Sequence, residues 1–312
     1  MTHEVGPGIV RDDRSVVTTG TFDGVHLGHQ AILRYLVERA RDQSGVPTVV
    51  TFDPHPRAVV GGHAVPLLTT LDERADLLAA LGVERFVVLP FTRDLSLLEP
   101  EAYVEQVLRE TIGLREIVIG YDHRFGRGRS GGRETLEALG ARDGFSVDVI
   151  PEQIERGVTV SSTQIRRLLL EEGDAEAAAA LLGRPYRLSG TVVHGDGRGR
   201  LVGFPTANVQ PADSRKLVPR IGVYAVRAQV PGGEPVAAMM NVGRRPTFET
   251  DGAVKIEVHL LDWGGDLYGR TLGVEVVARL RDEQRFDGVE ALVAQLHEDR
   301  AEAAAALVRL PS

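Results

Sequence analysis

A glycine-rich turn with two histidines has the residue types and spacing needed for phosphate chemistry. Residues 20–30 read Gly-Thr-Phe-Asp-Gly-Val-His-Leu-Gly-His-Gln, between the apolar pair Val16-Val17 and a helical pattern over 31–36. This order predicts a strand, a turn and a helix, with His26 and His29 where the helix begins. Free backbone N–H groups and the positive end of the helix dipole favour a bound phosphate there. Histidines at that place can donate hydrogen bonds to phosphate oxygens and stabilise charge that develops during a transfer.

A metal pair and surface histidines are the other interpretations of His26 and His29. A metal site requires three or four ligands, and the sequence offers only His55 as a third. The His-x-Gly-His spacing fits a bound phosphate better than a metal ion. The glycine in this spacing, which follows Gly24, allows the backbone to approach a ligand closely. We therefore expect phosphate chemistry at this turn.

A second cluster of phosphate-binding residue types lies at residues 160–166, which read Val-Ser-Ser-Thr-Gln-Ile-Arg. Ser161 with Gln164 would also form an ordinary capping box at a helix start. Capping alone does not require three consecutive hydroxyl residues with an arginine on the first turn. Hydroxyls, free N–H groups and Arg166 together predict a second phosphate clamp.

Two further glycine-rich segments contain polar side chains. Residues 120–131 include three arginines, for which a charged surface loop is the alternative interpretation, and residues 194–208 could be a flexible hairpin. Thr206 and Asn208 stand two residues apart, so they face the same side of an extended segment. A hydroxyl and an amide oxygen are suitable donors for Mg²⁺, which also binds substrate phosphates and water. The segment therefore predicts a magnesium site.

Composition limits the classes of protein that this chain can be. Its 312 residues suffice for two domains, and a net charge of −8 argues against a nucleic-acid partner bound by bulk electrostatics. The absence of cysteine excludes disulfides, thiolate nucleophiles and cysteine-ligated zinc. The polar N-terminus does not resemble a signal peptide, and no apolar run is long enough to span a bilayer, so we expect a cytoplasmic protein. The only lysines are Lys216 and Lys255, and a Walker A loop is absent, so phosphate chemistry must use Arg, His, backbone amides or metal.

The elements that must position these residues differ between the two halves. In the first half, strands predicted over 16–19, 48–52, 85–89, 116–120 and 146–150 alternate with helices over 30–42, 71–81, 100–111 and 132–143. This alternation predicts a parallel sheet covered on both faces, with ligands beyond the carboxyl ends of the strands. Two more helices follow, one near Ser162 and one over 175–182 that Asp174 caps and Gly183 ends. Residues 184–186 break the pattern and are predicted to form the linker.

The second half contains short alternating segments separated by Gly, Pro and Asp, over 187–193, 222–229, 237–242, 254–261 and 272–280. Such segments predict an antiparallel barrel or sandwich. The chain then ends in a predicted Ala-rich amphipathic helix over 288–310. We expect domains over 1–183 and 184–312.

The motif at residues 20–29 resembles the HxGH nucleotidyltransferase superfamily, whose members transfer a nucleotidyl group from ATP or CTP. Residues 161–166 match the superfamily's late [ST]-[ST]-x-x-[IV]-R element, which grips the outer phosphates of ATP. Class I aminoacyl-tRNA synthetases share HxGH but also need a KMSKS-like loop, which the scarcity of lysine disfavours. The segment 120–131 resembles the G-x-D/N-F-R-F-G loop of flavin adenylyltransferases, with His123 where phenylalanine is usual.

Together with residues 51–56, these motifs make residues 16–183 similar to the FMN adenylyltransferase module of bacterial bifunctional riboflavin kinase/FAD synthetases. The second half resembles riboflavin kinase. Residues 203–208 match the G-x-P-T-A-N motif of that family. Trp263 stands where the family more often has phenylalanine. The other riboflavin kinase elements follow in family order at residues 222–225, 241–248, 256–262, 267–269 and 280–286.

The resemblance implies a Rossmann-like nucleotidyltransferase domain, then an antiparallel β-barrel riboflavin kinase domain with a C-terminal helix. It implies phosphorylation of riboflavin to FMN in the second domain, and transfer of an adenylyl group to FMN in the first. Glu257 corresponds to the family's catalytic glutamate, which accepts the proton of the attacking hydroxyl. From the residues alone, Glu257 could instead be a solvent-facing strand carboxylate paired with Lys255.

The resemblance also implies the remaining site residues and ligands. His26, His29 and Arg166 would neutralise charge on the triphosphate, and Mg²⁺ would bind Thr206 and Asn208. Flavin contacts are implied at Pro54, His55, Pro56, Asp122, Phe125, Asn241, Arg281 and Phe286. Contacts with ATP or its phosphates are implied at Gly20, Phe22, Asp23, Gly24, His26, Gly28, His29, Ser161, Ser162, Thr163, Arg166, Gly195, Gly197, Gly199 and Arg200.

Three other functions stay open from the sequence. The first domain could transfer a nucleotidyl group to another phosphate, although the second set of motifs argues against this. The chain could be a flavin-binding regulator with a decayed centre, against which the intact motif residues argue. A nucleic-acid-binding barrel fits least, given the acidic charge. The expected partners are riboflavin, FMN and ATP, without nucleic acid or membrane, and family members can self-associate weakly or transiently.

Overall fold

The structure, a computed structural model, describes residues 1–150, 154–155, 158–244 and 254–308. The chain divides into two compact units, Met1–Ser162 and Thr163–Ser312. The division falls just after the first residue of a helix, Ser162–Arg167. The expected domain boundary after Gly183 stays a prediction.

The first unit is built on a parallel sheet, as predicted, and the sheet has six strands in the order β1-β4-β3-β2-β5-β6. The edge strand β1 was not predicted, because its four residues are mostly exposed and lack an apolar pattern. The strands are β1 (Thr2–Val5), β2 (Ser15–Thr19), β3 (Val46–Asp53), β4 (Arg85–Pro90), β5 (Leu114–Gly120) and β6 (Ser146–Ile150).

Helices cover both faces of this sheet. Alternate strand residues face opposite sides, so Val16 packs in one core with Leu33 and Leu78, and Val17 packs in the other with Leu108 and Leu136. The helices are α1 (Leu27–Asp42), α2 (Pro56–Gly61), α3 (Leu71–Ala80), α4 (Arg93–Ser96), α5 (Pro100–Ala102), which continues as a π-helix over Tyr103–Ile112, and α6 (Arg133–Asp143). A short antiparallel pair follows, β7 (Ile154–Glu155) with β8 (Val158–Thr159).

The strand order places the first two predicted loops at a topological switch point. From β2 the chain passes through α1 to β3 on one side, whereas β5 pairs with β2 on the other side. Open α/β sheets bind ligands in the crevice beyond such a reversal, at the carboxyl ends of the strands. The histidine turn follows β2 and the loop 120–131 follows β5, so the two loops leave neighbouring strands at that edge.

The second unit begins with helices and continues as a closed antiparallel barrel, in the order β10-β13-β12-β11-β14-β9. Asp174 caps its α8 by accepting from the Ala177 N–H at 2.8 Å, and Gly183 ends that helix at φ 72°, both as predicted. The elements are α7 (Ser162–Arg167), which continues as a π-helix over Leu168–Glu172, α8 (Ala175–Leu182), β9 (Tyr186–Val193), α9 (Arg198–Leu201), β10 (Ala207–Pro211), β11 (Gly222–Gln229), β12 (Pro235–Arg244), β13 (Val254–Leu260), β14 (Thr271–Arg281) and α10 (Val289–Val308).

Tyr186 belongs to the barrel rather than to a linker. Its side chain is buried, and its hydroxyl donates to the Leu217 carbonyl at 2.7 Å. At the other end of the unit, α10 packs Ala303 and Leu307 against Phe204 of the barrel domain. Within the described ranges, no helix combines the length and apolar character needed to cross a membrane.

Candidate active sites

The two histidines of the first motif stack on each other at the start of α1. His26 is the N-cap, and its Nδ1 accepts from the His29 N–H at 3.3 Å, so a neutral His26 ring has its proton on Nε2. The two ring centroids lie 3.6 Å apart. Gly28 allows this arrangement, since a Cβ there would lie 3.3 Å from the His26 ring.

His29 has a ring nitrogen without a protein partner. Its Nδ1 is buried and makes no hydrogen bond in the structure. Desolvation, helped by the His26 ring and the Arg74 cation, lowers the pKa of His29 well below its ordinary value. An unsatisfied buried nitrogen needs an explanation, and a ligand bound at this helix start would supply one.

Asp23 holds the turn from within the protein. Its buried carboxylate accepts from the backbone N–H groups of Leu68 and Thr69, at 3.0 and 2.8 Å. The Arg74 guanidinium lies 3.5 Å from it, and the Gly24 N–H donates to the Thr69 hydroxyl at 3.0 Å. This network gives Asp23 a supporting role, and its expected contact with phosphate stays a prediction. Sequence reasoning did not identify Thr69 and Arg74 as residues that support the turn. The sequence signal beside them is the capping box of Thr70 and Glu73.

The backbone of the turn is held in an uncommon conformation. Phe22, Gly24 and Val25 have φ of 46°, 86° and 39°. Positive φ is costly for a β-branched residue such as Val25 and persists only where surrounding contacts impose it. Here the Val25 N–H donates to the Phe22 carbonyl at 3.1 Å, and both side chains are in the core. The strain is consistent with a turn shaped for binding.

The second clamp contacts the first motif through Ser162. Its hydroxyl donates to the Asp23 carbonyl at 2.8 Å, and both residues belong to the first unit. Thr163, which is exposed, and Arg166 lie on α7 in the second unit. The structure thus places Ser162 of the hydroxyl cluster in contact with the histidine turn.

The loop after β5 surrounds a buried aromatic residue. Phe125 exchanges backbone hydrogen bonds with Gly131, at 3.1 and 3.0 Å, and packs in the core with Tyr103. The His123 ring stacks 5.8 Å from the Phe125 ring, and its buried Nε2 has no hydrogen-bond partner. Desolvation, with a smaller effect of Arg129, lowers the pKa of His123 to about 4. Phe125 therefore packs in the core of the first unit, and its expected flavin contact stays a prediction.

The other predicted flavin residues of the first unit have more open surroundings. Asp122 and Pro54 are exposed. His55 is the N-cap of α2, where its Nδ1 accepts from the Arg57 N–H at 3.1 Å, and Pro56 is the first residue of that helix. Their expected flavin contacts stay predictions.

In the barrel, strand register brings three predicted residues into one row. Glu257 on β13 lies opposite Asn208 on β10 and also opposite Asn241 on β12. Directly opposite residues share a face of the sheet and have neighbouring Cβ atoms. The candidate base, a candidate metal ligand and a candidate flavin residue therefore stand side by side.

Glycines allow the loop 195–200 to approach this row. A Cβ on Gly195 would lie 2.1 Å from the Asn208 Nδ2, and one on Gly199 would lie 2.2 Å from the Phe204 carbonyl. The Oδ1 of Asn208 is buried and has no hydrogen-bond partner. An oxygen in that position, with the Thr206 hydroxyl nearby in sequence, fits Mg²⁺, which needs few protein ligands besides phosphates and water. No cluster of three acidic, histidine or cysteine ligands occurs in the part of the chain that is described.

His259 positions the strand segment that bears these ligands. Its Nδ1 donates to the Pro205 carbonyl at 2.7 Å, and its ring packs 5.1 Å from the Phe204 ring. The hydrogen bond holds the backbone directly before Thr206. Sequence reasoning did not identify this role, although His259 stands two residues after Glu257 on the same strand.

Arg281 is held by a carboxylate that sequence reasoning did not identify. Asp299 on α10 is 1% exposed and binds the Arg281 guanidinium through both oxygens, at 2.7 and 2.6 Å. The Phe286 ring lies 5.9 Å from that guanidinium. In the glycine-rich loop after β9, Arg200 is exposed and Gly197 has φ 67°. Residues 245–248 of the expected 241–248 element lie outside the described residues.

The ion pair of Lys255 with Glu257 is present. The Lys255 Nζ lies 2.9 Å from the Glu257 Oε1 and 3.6 Å from the Asp196 Oδ2. The pairing that the alternative interpretation required therefore exists beside the row of candidate site residues. A partner cation does not prevent a carboxylate from accepting a proton, so the base role stays a prediction.

Comparison with known families assigns each unit a relative. A family model described as FAD synthetase matches residues 9–164, and one described as riboflavin kinase matches residues 182–307. A bifunctional riboflavin kinase/FMN adenylyltransferase from Listeria monocytogenes is 39% identical over 96% of this chain and 94% of its own length. The chain belongs to the bifunctional riboflavin kinase/FMN adenylyltransferase family.

Other relatives agree with this family membership. The enzymes of the same description from Pseudomonas fluorescens and Bacillus subtilis are 41% and 37% identical, each over 93% of this chain and 92% of its own length. A solved Streptococcus pneumoniae structure, described as a macrolide-efflux protein, has a TM-score of 0.88 at 31% identity, and the match covers 97% of this chain and 99% of that one. The riboflavin kinase activity lies in the C-terminal part and the FMN adenylyltransferase activity in the N-terminal part, as the motifs predicted.

Proposed function

We propose that two separate groups of residues perform the two reactions, one in the barrel and one at the histidine turn. The observation that carries the proposal is the barrel register, which sets Glu257 between Asn208 and Asn241. ATP serves as phosphoryl donor in the first reaction and as adenylyl donor in the second.

In the kinase reaction, Glu257 accepts the proton of riboflavin's terminal ribityl hydroxyl while that oxygen attacks the γ-phosphorus of ATP, which gives FMN and ADP. Thr206 and Asn208 would hold Mg²⁺, which when bound neutralises charge on the phosphates. The buried Asn208 Oδ1, which has no hydrogen-bond partner, supports the assignment of Asn208 as a magnesium ligand. Gly195, Gly197, Gly199 and Arg200 contact the phosphates, and Asn241, Arg281 and Phe286 contact the flavin.

In the adenylyltransferase reaction, a phosphate oxygen of FMN attacks the α-phosphorus of ATP, and pyrophosphate leaves as FAD forms. No general base is needed, because the attacking phosphate is already an anion. His26, His29 and Arg166 stabilise charge on the triphosphate, and positioning supplies much of the remaining acceleration. The helix start and the unsatisfied His29 nitrogen support these roles. Residues 20–24, Gly28 and 161–163 complete the phosphate contacts, with flavin contacts at Pro54, His55, Pro56, Asp122 and Phe125.

The test is an assay of one chain for two products. Purified protein is incubated with riboflavin and Mg-ATP, and FMN and FAD are resolved by chromatography, for wild type, His29→Ala and Asn208→Ala. The proposal requires each substitution to remove one activity and spare the other. Loss of both activities from a folded variant would contradict two separate sites. We further propose that the enzyme acts in the cytoplasm on these small molecules alone, with at most weak self-association.

A further inference from the structure

Lys255 occupies a distinctive place in a chain that uses arginine almost everywhere. Only two of its 36 Lys and Arg residues are lysine. Lys216 lies over the Tyr186 ring, 4.7 Å from its centroid. Lys255 lies between two carboxylates, 2.9 Å from the Glu257 Oε1 and 3.6 Å from the Asp196 Oδ2. Its compact ammonium thus joins the catalytic strand β13 to the glycine-rich loop.

A third carboxylate lies near the residue opposite Lys255. Lys255 is opposite Gly243 in the β12–β13 register. The Glu283 Oε1 lies 2.5 Å from where a Cβ on Gly243 would be. Asp196 and Glu257, the two carboxylates that Lys255 contacts, therefore place negative charge in the proposed kinase site, with Glu283 beside the residue opposite Lys255. Like charges a few ångströms apart repel, and the repulsion is strongest where solvent is partly excluded.

The side chains of this group are neither fully buried nor fully exposed. Lys255, Glu257 and Asp196 have side-chain exposures of 25%, 28% and 38%. The ion pairs therefore remain accessible to an entering anion, and the ammonium can rotate on its flexible stem. Lys255 forms ion pairs with both carboxylates.

We propose that Lys255 is a positioning residue that neutralises the acidic wall of the kinase site and so permits ATP to bind. In the nucleotide-free protein its ammonium holds Asp196 near Glu257. When the triphosphate enters, the same ammonium offsets the repulsion between Asp196, Glu257 and the phosphates. Lys255 acts on ATP binding more than on proton transfer, so its loss raises the KM for ATP while kcat changes little.

The inference rests on the proposed kinase site, and its test differs from the test of that site. Asn208→Ala examines whether the row around Glu257 is the kinase centre. The Lys255 variants examine ATP affinity in an enzyme that still turns over. The rate of FMN formation is measured with ATP varied at saturating riboflavin, and FAD formation from FMN in the same preparation serves as the internal control.

Lys255→Met should raise the KM for ATP about tenfold, the effect expected for removal of one partly exposed charge between two others. Lys255→Arg should stay within about threefold of wild type, because a guanidinium can also bridge two carboxylates. FAD formation should not change in either variant. Lys216→Met removes the other lysine as a matched control and should leave the KM for ATP unaltered.

Asp196 supplies a second, independent variant on an exposed loop. Asp196→Asn alone should lower the KM for ATP, because it removes a negative charge that repels the phosphates. In the wild-type protein Lys255 offsets that charge. Added to Lys255→Met, it should restore most of the lost affinity. An unchanged KM in Lys255→Met, a loss confined to kcat, or a failure of Asp196→Asn to restore affinity would overturn the proposal.

Discussion

Asn208 of β10 lies directly opposite Glu257 of β13, and the buried Oδ1 of Asn208 has no hydrogen-bond partner. A buried amide oxygen without a partner costs free energy in the folded protein unless a ligand satisfies it. Beside the candidate base, that ligand is expected to be the cation that accompanies ATP. In the proposed kinase site, neighbouring strands would therefore have separate tasks, with Asn208 of β10 binding the metal and Glu257 of β13 accepting the proton.

Asn208→Ala should reduce riboflavin phosphorylation about 10²–10³-fold, because it removes one of the two proposed magnesium ligands. FAD formation from added FMN should persist. Steady-state assays with riboflavin or with FMN as substrate measure the two reactions separately. The variant should also need a higher magnesium concentration for half-maximal kinase rate, and an unshifted magnesium dependence would contradict the ligand role.

Glu257→Gln keeps the shape of the side chain but removes the ability to accept a proton. The kcat for FMN formation should fall about 10²–10⁴-fold, the usual range for loss of a general base. The KM for ATP should not rise, since the substitution removes a negative charge beside Lys255. Glu275→Gln, on β14, is the control for a strand carboxylate outside the row. If phosphorylation persisted near the wild-type rate in Glu257→Gln, Glu257 would be a structural partner of Lys255 only.

His29→Ala should abolish FAD formation, by about 10²–10³-fold, because a charge-stabilising donor at the helix start is lost. Riboflavin phosphorylation should continue, so FMN should accumulate when the variant receives riboflavin and ATP. Chromatography of the reaction mixture distinguishes FMN from FAD directly. Equal loss of both products with an unchanged unfolding temperature would place His29 outside the adenylyltransferase site.

Asp23→Asn distinguishes between two roles for Asp23, which are support of the histidine turn and direct contact with phosphate. Removing the negative charge breaks the ion pair of Asp23 with the buried Arg74 cation, and a broken buried ion pair costs about 3–5 kcal/mol. FAD formation should therefore be lost at a lower incubation temperature than in wild type, while kinase activity survives. Asp94→Asn, at an exposed position, is the control. A raised KM for ATP without any loss of heat stability would instead indicate a direct phosphate contact.

Periodicity predicted much of this fold because the central strands are apolar throughout. Val16, Val17, Val49 and Val50 are fully buried, and runs of this kind are typical of parallel strands covered on both faces. Strand β1 was missed because an exposed edge strand needs no apolar pattern. The helix over 100–111 was predicted, but its π-helical turns depend on packing that local sequence does not encode.

The motifs identified the candidate residues but not how those residues are arranged. Asn208 and Glu257 are far apart in sequence, and only the barrel register makes them neighbours. Asp23 was assigned to phosphate because of its motif, whereas its partners in the α3 region follow from tertiary contacts. The pairing of Arg281 with Asp299 likewise joins a strand to a distant helix. Motif spacing contains no information on such contacts.

His123 should make the protein less stable in mild acid. Desolvation lowers its folded-state pKa to about 4, below the value of about 6.5 expected for the unfolded chain. Between these two values the unfolded chain binds a proton that the folded protein excludes, so stability is lost as pH falls through that window. From pH 7 to pH 5 the loss of stability from this group should be about 2 kcal/mol. His123→Phe should lack this loss of stability, because phenylalanine does not titrate and keeps the ring stacking on Phe125.

Urea unfolding followed by circular dichroism at both pH values measures the difference, with His63→Phe, at an exposed site, as the control. The same acid-induced loss in His123→Phe and in wild type would show that the His123 ring does not cause it.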